Sequence, residues 1–358
     1  MKTARQKGLS RRGLLLGASA AAGALLVGWA ALPARSRQGK GELWRLAAGE
    51  VALNGWIKIG PDGRVVLAMP RSEMGQGIHT ALAMLVAEEL DLPMSLIRLE
   101  QAGRDSIFGN VAMLVSSLPL HPLESEGDSA TWSARAAQWM VAKVARELGI
   151  NATGGSSSVA DAWEPVRAAA ATARAALLGA AAAQWRLAVG ELAIVDGVVT
   201  HPSGQRAHFG ELAKAAASTP PGVVTLKPQR DFKLLGRQTP RLDVPDKVNG
   251  AARFGIDVRP PGLVYAALRM SPVLGGSPGA IANADEVLRR VGVERIVRLP
   301  AYAGGTAGVA VVARSYWQAS QAVRALTIDW RADGQGELST DAVEQALYDA
   351  QTALDGLL

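Results

Sequence analysis

The chain beyond residue 50 opens with short apolar stretches that switch between two periodicities. Alternating apolar residues over 56–69 flank a turn at 60–63 that contains Pro, Asp and two Gly, which predicts a β-hairpin. From about Thr80 to Leu90 the apolar residues recur at helical spacing, and residues 97–100 alternate again as a strand. A hairpin, a helix and a further strand are therefore predicted to follow one another here.

Longer helical patterns dominate the middle of the chain. We predict a helix over Trp132–Leu148, an alanine-rich helix from roughly Asp161 to Trp185 and a short helix over 209–217. The small side chains of the alanine-rich helix would let another element approach it closely. An Asp-Gly turn predicts a second hairpin over 194–199. Residues 102–130 follow no regular pattern, and long loops of this kind are often functional.

The last third of the chain again mixes strands with helices. The pattern predicts short strands within 252–268, a helix over 281–291, a buried strand over 309–313, a helix over 317–325 and an edge strand over 326–330. Hairpins and helices without a regular strand–helix–strand alternation predict an α+β fold, and the sequence contains no internal repeat. Pro-Pro-Gly at 220–222 and the polar run 227–241 mark the predicted domain boundary.

The composition excludes several kinds of site and partner. The 358 residues include no cysteine, which excludes disulfides, thiolate zinc sites, cysteine-ligated iron–sulfur clusters and a cysteine nucleophile within this polypeptide. The net charge is +6, but residues 1–45 hold nine Lys or Arg against one Glu, which leaves −2 for the rest. Because a nucleic-acid binder needs its positive charge on the folded body, the sequence predicts no nucleic-acid partner.

Residues 1–45 have the layout of an export signal. The paired Arg11 and Arg12 stand before a leucine run and an uncharged apolar stretch, a layout that resembles a twin-arginine signal. The alternative is an N-terminal membrane anchor, since the 20 residues from Gly13 to Leu32 are enough to cross a hydrocarbon core of about 30 Å. Both interpretations predict that the body lies in the periplasm or on the outer face of the cytoplasmic membrane. Residues 36–50 are predicted to be a tether.

Two glycine-flanked turns are the candidate ligand-binding features. The first lies within 73–80 and places Gln76 between two glycines just ahead of a helix, and the second covers 153–158 with a row of hydroxyls. Glycine allows close approach of the backbone to a ligand, and free amides at a helix start favour an anion. Two such turns before two helices suit a long ligand that carries phosphates and polar rings.

Simpler interpretations of these residues remain open from the pattern alone. A Gly-x-Gly before a helix is most often a tight turn. A dinucleotide-binding Rossmann motif fits poorly because the third glycine of its spacing is absent, and neither turn carries the Gly-Lys-Ser/Thr of a P-loop. By default His79 is a packed or capping histidine, and Glu73 is a solvated or pairing carboxylate.

Several longer motifs resemble one known family. They are similar to motifs in the molybdopterin-binding subunit of the xanthine dehydrogenase/aldehyde oxidase family, and more narrowly in the isoquinoline 1-oxidoreductase beta-subunit type. The segments that carry this resemblance are 73–80 continued by 87–90, 109–113, 152–159, 163–167, 241–250 and 254–258.

The resemblance implies a domain plan and a cofactor site. After the signal or anchor at 1–45 it implies a molybdopterin-binding domain over 50–235, an α/β hammerhead-like domain over 236–335 and a truncated tail over 336–358. The cofactor would be molybdopterin with molybdenum, extended as the cytosine dinucleotide. By similarity the first turn would line the pterin and the molybdenum face, and the second turn would take the phosphate or nucleotide part. The implied cofactor-binding residues are Met74, Gly75, Gln76, Gly77, Thr80, Thr153, Gly154, Gly155, Ser156, Ser157 and Ser158.

The same resemblance implies chemistry and partners. Family members oxidise an N-heterocycle or an aldehyde with water as oxygen source, and electrons leave through iron–sulfur clusters. Because this chain has no cysteine, a [2Fe-2S] cluster is expected on a small partner subunit, with a downstream acceptor such as a cytochrome. No position here matches the family's catalytic glutamate, so we assign no catalytic residue and no metal ligand. The chain is expected to be a fragment, a truncated gene or one half of a split subunit, with a C-terminal half on a separate chain as one possibility.

Two other classes of protein compete with the enzyme subunit. One is a non-catalytic exported binding or assembly module that kept the fold and lost the chemistry. The other is an exported solute-binding protein, which the missing β-α-β alternation disfavours. The sequence alone does not identify the substrate.

Overall fold

The computed structural model describes residues 28–29, 32–33, 35–332 and 339–354. The chain divides into two compact units, Met1–Ala252 and Arg253–Leu358. The predicted signal at 1–45 lies largely outside the described residues. Within the part of the chain that is described, no helix is both long and apolar enough to cross a membrane.

The first unit contains two sheets and seven α-helices among its described residues. Its strands are β1 (Val51–Ala52), β2 (Ile57–Ile59), β3 (Val65–Met69), β4 (Ile97–Gln101), β5 (Ala193–Val195), β6 (Val198–Thr200) and β7 (Arg206–His208). Its helices are α1 (Ile78–Leu90), α2 (Val111–Ser116), α3 (Pro122–Ser125), α4 (Trp132–Leu148), α5 (Ser158–Trp185), α6 (Phe209–Ser218) and α7 (Val244–Val248).

The first sheet has the order β1-β2-β3-β4 and combines the predicted hairpin with a parallel crossover. β2 and β3 pair antiparallel across the 60–63 turn, whereas β3 and β4 pair parallel with Val65 opposite Ile97. A parallel pair needs a crossover connection, and α1 supplies it. The turn at 73–77 therefore joins the end of β3 to the start of α1. In the second sheet, β5, β6 and β7 form an antiparallel meander.

The core of the first unit forms where α5 packs against α1 and α6. Helix α5 buries a long run of alanines, among them Ala169, Ala173 and Ala180, and α1 contributes Leu82 and Val86. Small side chains allow the backbones to approach, so the predicted close approach to the alanine-rich helix is confirmed. Burial of α5 on several sides also explains why its apolar positions do not form one narrow stripe.

The segment before β1 is not the tether that its polar composition predicts. The Arg37 guanidinium donates to the carbonyl of Ile107 at 3.1 Å and pairs with Asp161 at 2.8 Å. The Trp56 indole in turn donates to the carbonyl of Arg37 at 2.6 Å. These side-chain contacts hold this part of 36–50 on the first unit, and composition alone does not predict them.

The polar run 227–241 also belongs to the first unit. The Glu88 carboxylate accepts the amides of Lys233, Leu234 and Leu235, at 2.7 Å for Leu234. The neighbouring Glu89 carboxylate accepts from the amide of Lys227 at 3.2 Å. Both carboxylates are buried on α1. The division of the structure after Ala252 consequently falls later than the boundary predicted at 235/236.

The second unit is a smaller α/β arrangement with a core of its own. Its strands are β8 (Tyr265–Met270), β9 (Ser277–Ile281), β10 (Val293–Leu299), β11 (Gly308–Ala313) and β12 (Ile328–Arg331), and its helices are α8 (Ala284–Leu288), α9 (Tyr316–Ala325) and α10 (Thr340–Leu354). β11 is buried along its whole length between β10 and β8, as its run of Val and Ala predicts. β9 pairs with β12.

Four elements of the second unit differ from the pattern-based prediction, namely α8, β9, β10 and α10. The helix expected over 281–291 is shortened to α8, because β9 occupies the positions up to Ile281. The pattern does not predict β10, since its charged residues interrupt the apolar alternation. The α+β fold class is confirmed, whereas the hammerhead identity of this unit stays a prediction.

Candidate functional site

The two glycine turns of the first unit face each other across one cleft. The cleft has a volume of about 380 Å³, and both turns and the first residues of the two helices that follow them line it. The amide of Ser72 donates to the Thr153 hydroxyl at 3.0 Å, which links the chain segments on the two sides. The lining residues are Met74, Gln76, Gly77, Ile78, Ala81, Thr153, Gly154, Gly155, Ser156, Ser158 and Val159.

The first turn depends on two glycines in the left-handed region. Gly75 has a φ of 102° and Gly77 has a φ of 87°, values that side-chain-bearing residues rarely adopt. Gln76 spans the turn from within: its Oε1 accepts the Met74 amide at 2.6 Å and its Nε2 donates to the Ser72 carbonyl at 2.9 Å. The amide side chain thus holds the turn closed as well as lining the cleft.

The amides at the start of α1 are not free, contrary to the sequence-based expectation. The Glu73 carboxylate accepts from the amides of Gly75 and Gly77 at 2.9 Å each and from the His79 amide at 3.1 Å. A carboxylate at a helix start is stabilised by the helix dipole and by these donors. The anion at this helix start is therefore Glu73 itself.

The Glu73 carboxylate is held in its charged form. Burial alone would raise its pKa, but the amides of Gly77, His79 and Gly75 outweigh this effect and keep the pKa below the ordinary range. Arg241 also pairs with it at 3.2 Å. The default expectation of a pairing carboxylate is thus confirmed, and His79, whose Nε2 lies 3.1 Å from the carbonyl of Arg71, is a packed histidine.

The second turn leaves its amides open. Gly155 and Ser156 have φ values of 60° and 52°, and Ser157 returns to the right-handed region as the residue before α5. Successive left- and right-handed residues turn their N–H groups into a common concavity that binds anions. Among the residues that the structure describes, none accepts a hydrogen bond from the amides of Gly155, Ser156, Ser158 or Val159.

Three of the predicted cofactor-binding residues do not line the cleft. Thr80 is buried, and its hydroxyl accepts the Leu242 amide at 3.0 Å. Ser157 is also buried, and its hydroxyl donates to the Gly154 carbonyl at 2.7 Å. Gly75 supplies the geometry of the first turn without lining the cleft. The hydroxyls of Thr80 and Ser157 make these protein hydrogen bonds, and the ligand contacts of the two residues stay predictions.

A buried ion network beneath the cleft has no counterpart in the sequence-based prediction. Asp161, in the first turn of α5, pairs with Arg71 at 2.7 Å and with Arg37 at 2.8 Å, and its Oδ1 accepts the Val111 amide at 2.7 Å. Burial lowers the pKa of Arg71, against the opposing charge of Asp161. The network joins the end of β3 to the start of α5 and so fixes the two sides of the cleft.

The motif at 109–113 supports the second turn. Asn110 is buried, and its Nδ2 donates to the Ala152 carbonyl at 3.0 Å and to the Ser157 hydroxyl at 2.8 Å. The motif is part of the family resemblance, but the pattern gives Asn110 no role. The available signal is a polar residue directly before the apolar run 111–115.

The donors of the cleft suit an elongated ligand with an anionic end. The open amides and hydroxyls of the second turn suit phosphate oxygens, and the first turn adds a neutral polar surface beside the exposed Met74. Among the described residues, no group of three or more His, Asp or Glu side chains could hold a metal ion. A molybdopterin with a phosphate-bearing extension fits this donor set.

Comparison with known proteins finds a family model and several relatives that match this chain. Residues 17–113 match the model of a molybdopterin cofactor-binding domain. The chain is 30% identical to the beta subunit of isoquinoline 1-oxidoreductase from Brevundimonas diminuta, over 91% of this chain and 40% of that protein. It is 28% identical to a nicotinate dehydrogenase subunit from Pseudomonas putida, over 79% of this chain and 20% of that protein.

A third relative is named as an aldehyde dehydrogenase. The membrane-bound aldehyde dehydrogenase [pyrroloquinoline-quinone] of Gluconacetobacter polyoxogenes is 27% identical over 84% of this chain and 38% of that protein. The chain spans no more than 40% of the length of these three relatives. The comparisons confirm the predicted resemblance to molybdopterin-binding subunits, and the chain aligns with only part of each of these relatives.

Proposed function

We propose that this chain is the molybdopterin-binding N-terminal portion of a molybdenum hydroxylase. The observation that carries the proposal is the single cleft lined by both glycine turns, which lie far apart in the sequence. A small-residue turn before a helix is common, but two of them sharing one cleft fit a single elongated ligand. The second unit would be the hammerhead-like domain of that subunit.

The hydrogen-bond donors suggest how the cofactor lies in the cleft. The amides at the first turn are taken by Glu73, whereas those of Gly155 and Ser156 have no acceptor among the described residues. The phosphate or nucleotide part of a molybdopterin cytosine dinucleotide would therefore lie against 153–158. The pterin would lie along Met74 to Gly77, where Gln76 keeps a second amide hydrogen for a ring acceptor.

When bound, the cofactor supplies two-electron oxidation chemistry, with water as the oxygen source. The residues of this chain bind and orient it, and none of them is assigned as the proton acceptor. The substrate class would be an N-heterocycle or an aldehyde, as the names of the relatives suggest. Electrons would pass to a [2Fe-2S] cluster on a small partner subunit and then to an acceptor such as a cytochrome. The rest of the catalytic machinery would correspond to the part of the relatives that this chain does not span.

The location of the protein is part of the same proposal. The twin arginines and the apolar run that follows them support export by the twin-arginine route, with the body in the periplasm or on the outer face of the cytoplasmic membrane. That route carries proteins that are already folded, which suits a subunit loaded with a cofactor in the cytoplasm.

Metal and pterin analysis of the native complex tests the proposal. We expect molybdenum and a pterin that carries cytosine nucleotide in the complex that contains this chain, together with an iron–sulfur partner. A complex without molybdenum would defeat the enzyme interpretation and favour the non-catalytic binding or assembly module.

A paired substitution tests the cleft itself. Gly155→Val should reduce cofactor content strongly, because a β-branched residue resists a φ of 60° and would alter the amide concavity. Gly204→Val is the control, since Gly204 also has a positive φ of 98° but lies in the β6–β7 turn outside the cleft. Equal cofactor content in both variants would argue against the second turn as the phosphate site.

A further inference from the structure

Arg241 reaches back to the first turn from more than 160 residues away in the sequence. Its Nη1 donates to the Gly75 carbonyl at 2.7 Å, and its Nη2 pairs with Glu73 at 3.2 Å. The same guanidinium is itself oriented by Asp243, which accepts from Nε at 2.9 Å and from Nη2 at 2.7 Å. A planar guanidinium with partners on both edges has little freedom to rotate.

The contacts of Arg241 fall on the two groups that define the turn. The Glu73 carboxylate accepts the amides of Gly75 and Gly77, and Gly75 has a positive φ of 102°. Arg241 therefore contacts both the Glu73 carboxylate, which accepts the two amides, and the Gly75 carbonyl. Next to it, the Leu242 amide donates to the Thr80 hydroxyl on α1, so the segment docks at two points.

Arg241 does not line the cleft, so it has no direct route to a bound ligand. Its effect on binding would pass through the shape of the turn. A turn that carries two positive-φ glycines is flexible without such contacts, and ordering it on binding would cost free energy. Contacts that order the turn before the ligand binds remove that free-energy cost.

We propose that Arg241 is a positioning residue that preorganises the Gly75–Gly77 turn for the cofactor. The inference rests on the proposed function. It extends the cofactor site to the segment 241–243, at the end of the polar run whose composition is that of a linker. It also explains why Asp243 is placed to orient the arginine and not to contact the turn itself.

Hydrogen exchange measured by mass spectrometry on the full chain without cofactor tests the ordering step. In Arg241→Gln, peptides that cover 73–79 should exchange roughly tenfold faster, as expected when a locally ordered segment opens more often. Peptides of β2 and β6 should keep their wild-type rates. Arg237→Gln is the matched control, since Arg237 is an exposed arginine in the same stretch with no ion pair among the described residues. Wild-type exchange of 73–79 in Arg241→Gln would overturn the inference.

Cofactor retention in the purified native complex tests the link to binding. We expect molybdenum to leave the Arg241→Gln complex about tenfold faster than the wild type at one temperature, while Arg237→Gln matches the wild type. Glu73→Gln should show the same loss, and the double variant should lose little more, because both residues act on one turn. Additive losses would overturn a shared role, since they would mean that each residue acts separately.

The two proposals can fail separately. If the wild-type complex holds molybdenum and Arg241→Gln releases it at the wild-type rate, this inference falls and the proposed function stands. If the wild-type complex carries no molybdenum, both fall.

Discussion

At the scale of single residues, buried charges and their partners set the geometry of the cleft. Glu73 neutralises the start of α1 by accepting three backbone amides, and Asp161 gathers two arginines and two amides beneath the second turn. Each carboxylate is nearly buried, so each depends on its full set of donors. Removal of a single donor or acceptor would leave its partners unsatisfied.

The pH dependence of Glu73 follows from its lowered pKa. Because the pKa of Glu73 is lower in the folded state, its contribution to stability is complete above the pKa of the unfolded chain and is lost as pH falls through the folded value. Glu73→Gln should cost about 1–3 kcal/mol near neutral pH, and the difference from wild type should shrink below about pH 4.3. Urea unfolding at several pH values measures it. A difference that grows on acidification would contradict this account.

Asp161 should be among the most sensitive positions of the first unit. Asp161→Asn leaves Arg37 and the fully buried Arg71 without a counter-charge, and we expect a loss of about 3–5 kcal/mol in the free energy of unfolding. The exposed Asp128 provides the control substitution, Asp128→Asn, which should change stability by less than about 0.5 kcal/mol. Equal midpoints of urea unfolding in the two variants would rule out a structural role for the network.

At the scale of elements, helices are easier to predict than strands. The helix predicted over Trp132–Leu148 has the bounds of α4, and α5 begins three residues before its prediction. A helix repeats its apolar spacing over many residues and forms its backbone hydrogen bonds within itself. Several positions of the pattern therefore support the same prediction. β10 is not predicted because its pairing with β11 defines it as a strand. A local sequence pattern contains no information about that pairing. For the same reason, the parallel pairing of β3 with β4 could not be predicted.

The alanines of α5 should tolerate no larger side chain where they face α1 and α6. Ala173 is fully buried, and Ala173→Leu should lower the free energy of unfolding by about 1–3 kcal/mol through overpacking. The exposed Ala183 on the same helix gives the matched control, Ala183→Leu, which leaves the core untouched. Thermal unfolding of both variants checks this, and a stabilised Ala173→Leu would mean that the helices pack loosely.

At the scale of the whole molecule, the chain divides into two compact units after Ala252, beyond the polar run that composition marks as a boundary. Glu88 and Glu89 draw 227–235 onto α1, and Arg241 and Leu242 attach the next residues to the first turn and to Thr80. Polar and charged residues are typical of linkers, but here buried carboxylates satisfy their amides. Composition alone does not separate these two cases.

Limited trypsin digestion tests this division of the chain. We expect the first cut after the exposed Arg253, which directly follows the end of the first unit at Ala252. A cut after Lys233 should come later, since the amides of Lys233 and Leu234 on the two sides of that bond donate to Glu88. Early cleavage at Lys233 would show that the carboxylates do not hold this segment.

The sequence by itself determined the helices α1, α4, α5, α6 and α9, the two hairpins, the α+β class and the two glycine turns as ligand-binding candidates. Each of these depends on residues close together in the chain, where spacing and turn chemistry are sufficient. The tertiary structure decided which amides remain open, that Thr80 and Ser157 face inward, and that Arg241 and Asp161 fix the two turns. Those outcomes depend on hydrogen bonds between residues far apart in sequence, and local patterns carry no record of which donor meets which acceptor.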